Sequence, residues 1–194
     1  MLSDQATPCR AQRSPVLQIQ HAHLEAIREH IQRGARSVAA GVGTDVSGVG
    51  ICLLADFPVG PAPCDGDLCA GVMMRLDGTL SGTALLSMDP EHALAWISAR
   101  PNGPGAEPLA AYLELGRTLL ATCLGALADG FGCTTEPGTA RLEEETVVGI
   151  VLATHAPSDT VVLSARLEVP IAGQRLPAHV TVLLEPKLLE SLLS

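Results

Sequence analysis

Apolar side chains recur at helical spacing through the first forty residues, and a second such stretch begins near residue 108. Leu17, Leu24, Ile27, Ile31, Ala35 and Val38 fall three, four or seven apart, the period of one face of a helix. Ser14-Pro15 offers a cap followed by a residue suited to the first helical position, and Gly41-Val42-Gly43 supplies the stop. The pattern then shortens. Residues 46–54 read as a strand, the Pro/Gly-rich stretch 58–71 as a loop, and 71–77 with 81–88 as a hairpin turning near Asp77-Gly78. A short helix opening at Pro90 is expected to end near Ala99.

From residue 106 the same order returns: a helix over 108–129, a strand over 146–153, a hairpin over 160–168 and 176–184, and a helix over 186–193. Pro101-Asn102-Gly103-Pro104-Gly105 is the linker between the two runs. Within each first helix a Glu is followed three residues later by a long polar side chain, Glu29 with Gln32 and Glu114 with Arg117. Each run closes alike, Ser87-Met88-Asp89-Pro90 before one apolar helix and Leu183-Leu184-Glu185-Pro186 before another. The paired glutamates are 85 residues apart and the paired prolines 96 apart, as a duplication with modest loop changes requires. The predicted fold is α+β: internally duplicated helix–strand–hairpin–helix halves, 15–100 and 106–194, forming a mainly antiparallel sheet covered by long helices. Residues 1–14 are polar and irregular, and read as a mobile tail before a single domain over 15–194.

Composition narrows the function classes. The chain of 194 residues is 47% hydrophobic yet 2% aromatic, so its core is aliphatic. A formal charge of −9 and a pI near 5.0 leave no basic footprint for nucleic acid, and four aromatic side chains give no base-stacking platform. No run reaches the ~18 apolar residues of a membrane span, and Asp4, Gln5 and Pro8 interrupt any signal-peptide core, so a cytoplasmic protein without membrane insertion is expected. Six cysteines are then read as reduced. Cys64 and Cys69, with Asp65 and Asp67 between them, lack a second ligand pair, so a loop is the expected reading and no metal site is assigned. The glycines after the first helix lack phosphate-cradle spacing, and no Gly-x-Ser-x-Gly context exists for a serine nucleophile.

Residues three apart share a helix face, so Glu29 sits beside Gln32 and Glu114 beside Arg117. On an arbitrary helix such pairs are ordinary solvated neighbours, and Arg28 and Arg33 give the first glutamate other salt-bridge partners. Their sequence context lifts them above that. Leu24-Glu25-Ala26-Ile27-Arg28-Glu29, then Gln32, Gly34, Ala35 and Ala39, resembles the opening motif of the CheC/CheX/FliY chemotaxis phosphatases. Leu113-Glu114-Leu115-Gly116-Arg117, followed by Leu119, resembles that family's second Glu-x-x-Asn motif. Asp77-Gly78-x-x-Ser81-Gly82-x-x-Leu85-Leu86, leading into Pro90, is similar to its strand-to-helix passage. The resemblance spans residues 20–194.

The resemblance implies hydrolysis of the aspartyl phosphate of a CheY-type response regulator. In that family the Glu contacts a lysine of the regulator and the Asn amide orients the attacking water. No intrinsic cofactor is implied; the Mg belongs to the partner regulator. Glu29 would dock and Gln32 would position water, its amide supplying one donor and one acceptor through one extra methylene. Arg117 departs further, since guanidinium only donates; Glu114 and Arg117 form either a partner-binding face or a degenerate second site. A non-catalytic module of the same fold, binding a response regulator or a CheD-type deamidase, is the alternative, and a flagellar-switch-related protein the third reading.

Overall fold

The computed structural model describes residues 45–54, 68–99, 107–145, 149, 154–157, 160–171 and 173–185. They form six strands and two helices: β1 (Asp45–Leu53), β2 (Cys69–Gly78), β3 (Gly82–Met88), α1 (Pro90–Ser98), α2 (Pro108–Phe131), β4 (Thr135–Glu145), β5 (Val161–Ile171) and β6 (Gln174–Leu184). The expected helices over 15–41 and 186–193, the tail and the linker lie outside the described residues.

All strands join one antiparallel sheet in the order β1-β5-β6-β3-β2-β4. Exchanging β1 with β4, β2 with β5 and β3 with β6 returns the same order reversed, so the topology is symmetric about the central β6–β3 pair. Both outer strands carry an irregularity at a glycine. β1 holds one extra residue at Gly48 against β5, and β4 holds one extra at Gly138-Thr139 against β2. Such bulges twist an edge away from further pairing.

The sheet is half-hydrophobic by alternation. On β2, Val72, Met74 and Leu76 are fully buried on the face that meets α2, while Arg75 and Asp77 are exposed. α2 lays Tyr112, Leu119, Leu120, Leu124 and Leu127 on that face. Gly116 sits on Val72 so closely that a Cβ would lie 2.6 Å from its Cγ2. Tyr112 is tied at both ends of its ring system: its hydroxyl donates to the Ala70 carbonyl at 2.8 Å, and Trp96 of α1 meets it edge-on at 6.2 Å. α1 starts where the sequence predicts, with Asp89 accepting from the Glu91 and His92 amides and Pro90 following it. Gly132 closes α2 in the left-handed conformation.

Three expectations need correction. β2 begins at Cys69, inside the stretch read as a loop, because Cys69 is buried against its neighbours. The fourth strand is Thr135–Glu145, a stretch that the sequence pattern assigns to no element; of the expected strand over 146–153 only Gly149 is described, and it is helical. Thr135–Glu145 contains Pro137, Gly138 and three consecutive glutamates, so no alternating apolar pattern announces it; as an edge strand it pairs on one side alone and tolerates all of them. The last hairpin is longer than expected, turning at Gly173 with φ of 85°.

Candidate functional site

Glu29 and Gln32 lie outside the described residues, so the geometry in hand is that of the second motif. Its placement follows from the helix period. Gly116, between the two motif side chains, is the contact with Val72, and it turns Glu114 and Arg117 outward. Their side chains are 63% and 50% exposed.

The two are not independent groups. Arg117 Nε donates to Glu114 Oε2 at 2.9 Å and Nη2 donates to Oε1 at 2.6 Å, a two-pronged pair that uses both carboxylate oxygens. The hydrogen bonds from Arg117 hold the Glu114 carboxyl below its usual range, and the same bonds raise the guanidinium above its own. The neighbouring hydroxyls are committed too: Thr118 Oγ1 donates to the Glu114 carbonyl at 2.9 Å and Thr122 Oγ1 to the Thr118 carbonyl at 2.8 Å. This stretch of α2 presents a charge-neutral pair and outward hydroxyl lone pairs. It holds no amide that could both donate to a water and accept from it.

Among the described cysteines, Cys69 and Cys123 are packing residues. Cys69 is buried in β2, and burial pushes the Cys123 thiol up to about 12, so it stays protonated. Cys123 lines a small apolar pocket with Leu127 of α2 and Leu163, Leu167, Val180 and Val182 of the sheet. No group of three or more His, Cys, Asp or Glu able to hold a metal occurs among the described residues, and Cys64, Asp65 and Asp67 lie outside them.

Sequence reading missed a polar row on the sheet face opposite α2. Register brings Arg166 of β5, His179 of β6, Ser87 of β3, Gly71 of β2 and Glu143 of β4 side by side. Ser87 is fully buried, and its hydroxyl has no hydrogen-bond partner among the described residues. Desolvation, with Arg166 nearby, lowers the His179 pKa to about 4, so the ring is neutral at pH 7. The five residues come from five strands and share no local spacing. A period-2 reading of each strand could place each on a face, but could not align the row.

No protein-family model matches the chain, and no curated protein matches it in sequence. Solved structures do match. A chain of the CheX–CheY–BeF3–Mg complex from Borrelia burgdorferi superposes with a TM-score of 0.54 at 13% identity, over 82% of this chain and 97% of that one. The FliM middle domain from H. pylori gives 0.52 at 16% identity, over 88% and 95%. Thermotoga maritima FliY gives 0.51 at 12% identity, over 93% and 96%. Among the described residues no helix is long and apolar enough to cross a membrane. The chain thus has the fold shared by CheX, FliY and the FliM middle domain, the CheC-type fold that its two Glu-led helix motifs resemble.

Proposed function

We propose that this protein is a chemotaxis-type phosphatase that removes phosphate from the aspartyl phosphate of a CheY-type response regulator. The observation that carries the reading is the CheC-type fold with a Glu-led motif displayed on the outer face of a long helix, Glu114 and Arg117 of α2. The symmetric strand order supports two pseudo-equivalent halves, 15–100 and 106–194, so the motif at Glu29 and Gln32 would occupy the corresponding face. In this reading Glu29 docks on a lysine of the regulator and the Gln32 amide holds water in line with phosphorus. The regulator supplies the Mg, and neither acidic catalysis nor a covalent intermediate on this chain is needed, since phosphoryl transfer depends mainly on positioning and charge stabilisation. The working compartment would be the cytoplasm, where such regulators act.

A non-catalytic module binding a regulator or a CheD-type deamidase is the second reading; the Glu114–Arg117 pair supports only its non-catalytic part at α2, because a guanidinium cannot accept from water. The likeness to the FliM middle domain keeps a flagellar-switch component as the third.

Phosphate release from a phosphorylated CheY-type regulator tests the first reading. Wild type should accelerate it and Gln32→Ala should not, while binding persists. Binding without acceleration by wild type would refute the phosphatase and leave the module; co-sedimentation with motor proteins regardless of phosphorylation would select the switch component.

A further inference from the structure

We infer that Arg117 is the specificity-determining residue of the α2 face: it occupies the Glu114 carboxylate from within the helix and withdraws that face from a lysine-presenting partner, so that each chain takes one regulator and not two. The inference rests on the regulator reading above and deepens it.

Glu114 can receive a partner's ammonium only through its two carboxylate oxygens, and both already accept from Arg117, at 2.9 and 2.6 Å. An incoming lysine would have to displace two charge-assisted bonds made by a group on the same helix, whose effective concentration is far above that of any partner. It would also approach a guanidinium that stays charged at every working pH. The three-residue spacing keeps the Arg117 backbone one turn from Glu114, so its positive charge stays on the face a lysine would approach.

Among the described residues no carboxylate stands within one turn of Glu114; the next on that face is Glu107 at the helix start, two turns away. Along the same outward stretch the exposed side chains after Arg117 are Thr118 and Thr122, and both hydroxyls are engaged with helix carbonyls at 2.9 and 2.8 Å. Nor can the helix roll to present another face. Gly116 is seated against Val72, and the Tyr112 hydroxyl anchors the first turns to the Ala70 carbonyl. The geometry of α2 therefore holds a neutral, self-satisfied pair at the position where its motif would otherwise present a free carboxylate.

Two measurements on the full chain test this. Calorimetric titration with a beryllofluoride-activated CheY-type regulator should give one bound regulator per chain for wild type, two for Arg117→Ala, and one again for the Arg117→Ala/Glu114→Gln double variant. Two regulators on wild type, or no second one on Arg117→Ala, would overturn the inference. The second measurement needs no partner: the carbon-13 resonance of the Glu114 carboxyl should titrate at lower pH in wild type than in Arg117→Ala. Coincident titrations would mean that the pair does not hold in solution and would overturn the inference by themselves. If wild type binds no regulator at all, the regulator reading falls and the one-regulator statement with it, while the carboxyl titration still decides whether Arg117 holds Glu114.

Discussion

Leu85 on β3 pairs directly with Thr181 on β6 at the middle of the central strand pair, and the two residues are 96 positions apart in the chain. Pro90 and Pro186, which follow matched acidic residues at the ends of β3 and β6, are separated by the same interval. A two-fold axis relating the halves must pass through a pair of strands whose residues are equivalent and antiparallel. The Leu85–Thr181 pair meets both conditions at once. The same relation sets Arg75-Leu76-Asp77 of β2 against Arg166-Leu167-Glu168 of β5, each with its Arg paired to the acid two residues on, at 3.9 and 3.0 Å. Strand order and register are thus symmetric about this pair.

The contact that seats α2 predicts an unusual helix substitution. Gly116→Ala removes a helix-interior glycine, which alone would stabilise by about 1 kcal/mol. Its new Cβ would meet Val72 at 2.6–3.0 Å, too close for any methyl group. Overpacking of this kind costs about 1–3 kcal/mol, so the variant should be net destabilised in urea unfolding. Because the Val72 Cβ itself would lie 2.7 Å from the new methyl, the background that removes the obstacle is Val72→Gly, in which Gly116→Ala should cost less than in wild type. Equal penalties for Gly116→Ala in both backgrounds would mean that Val72 is not the obstacle.

Gly82 opens β3 with φ of 152°, and a Cβ there would strike the Leu183 carbonyl oxygen. The obstruction is backbone in the central strand pair, which cannot step aside as a side chain can. Gly82→Ala should therefore cost roughly 2–4 kcal/mol, within the range of strained backbone substitutions. Gly173→Ala, at φ of 85° with open space around its Cβ, should cost about 1 kcal/mol. Matching losses for the two would refute a role for the Leu183 carbonyl.

His179 gives the fold a pH dependence of known sign. Its folded pKa of about 4 lies below the ordinary histidine value, because burial and then Arg166 disfavour the charged ring. Between pH 6.5 and 4 the unfolded chain binds a proton that the folded chain does not, so stability is full above that window and falls on acidification. The ring is part-exposed, so the loss across the window should be on the order of 1 kcal/mol after solvent screening. His179→Gln should flatten that slope in chemical denaturation at stepped pH. An unchanged slope would place the titrating group elsewhere.

Tyr112 offers a smaller test of the α2 anchor. Tyr112→Phe keeps the ring against Trp96 and loses the 2.8 Å bond to the Ala70 carbonyl. The expected cost is about 0.5–1.5 kcal/mol, read from the shift in urea midpoint. No shift would show that the hydroxyl does not hold the first turns of α2 to the sheet.

Sequence by itself determined those parts whose causes are local. The helix start at Pro90, the turn near Gly78, the long helix expected over 108–129 with Glu114 and Arg117 on one face, and the paired motifs all follow from spacing along a few turns or a few strand residues. Tertiary structure alone decided what depends on partners far away in the chain. Thr135–Glu145 is a strand because β2 pairs with it, not because its own residues favour one. The row from Arg166 to Glu143 exists only through the register of five strands. The pairing of Arg117 with Glu114 belongs between these limits. Helix spacing makes the two neighbours, but only their side-chain geometry puts both carboxylate oxygens under one guanidinium and leaves α2 with a neutral face.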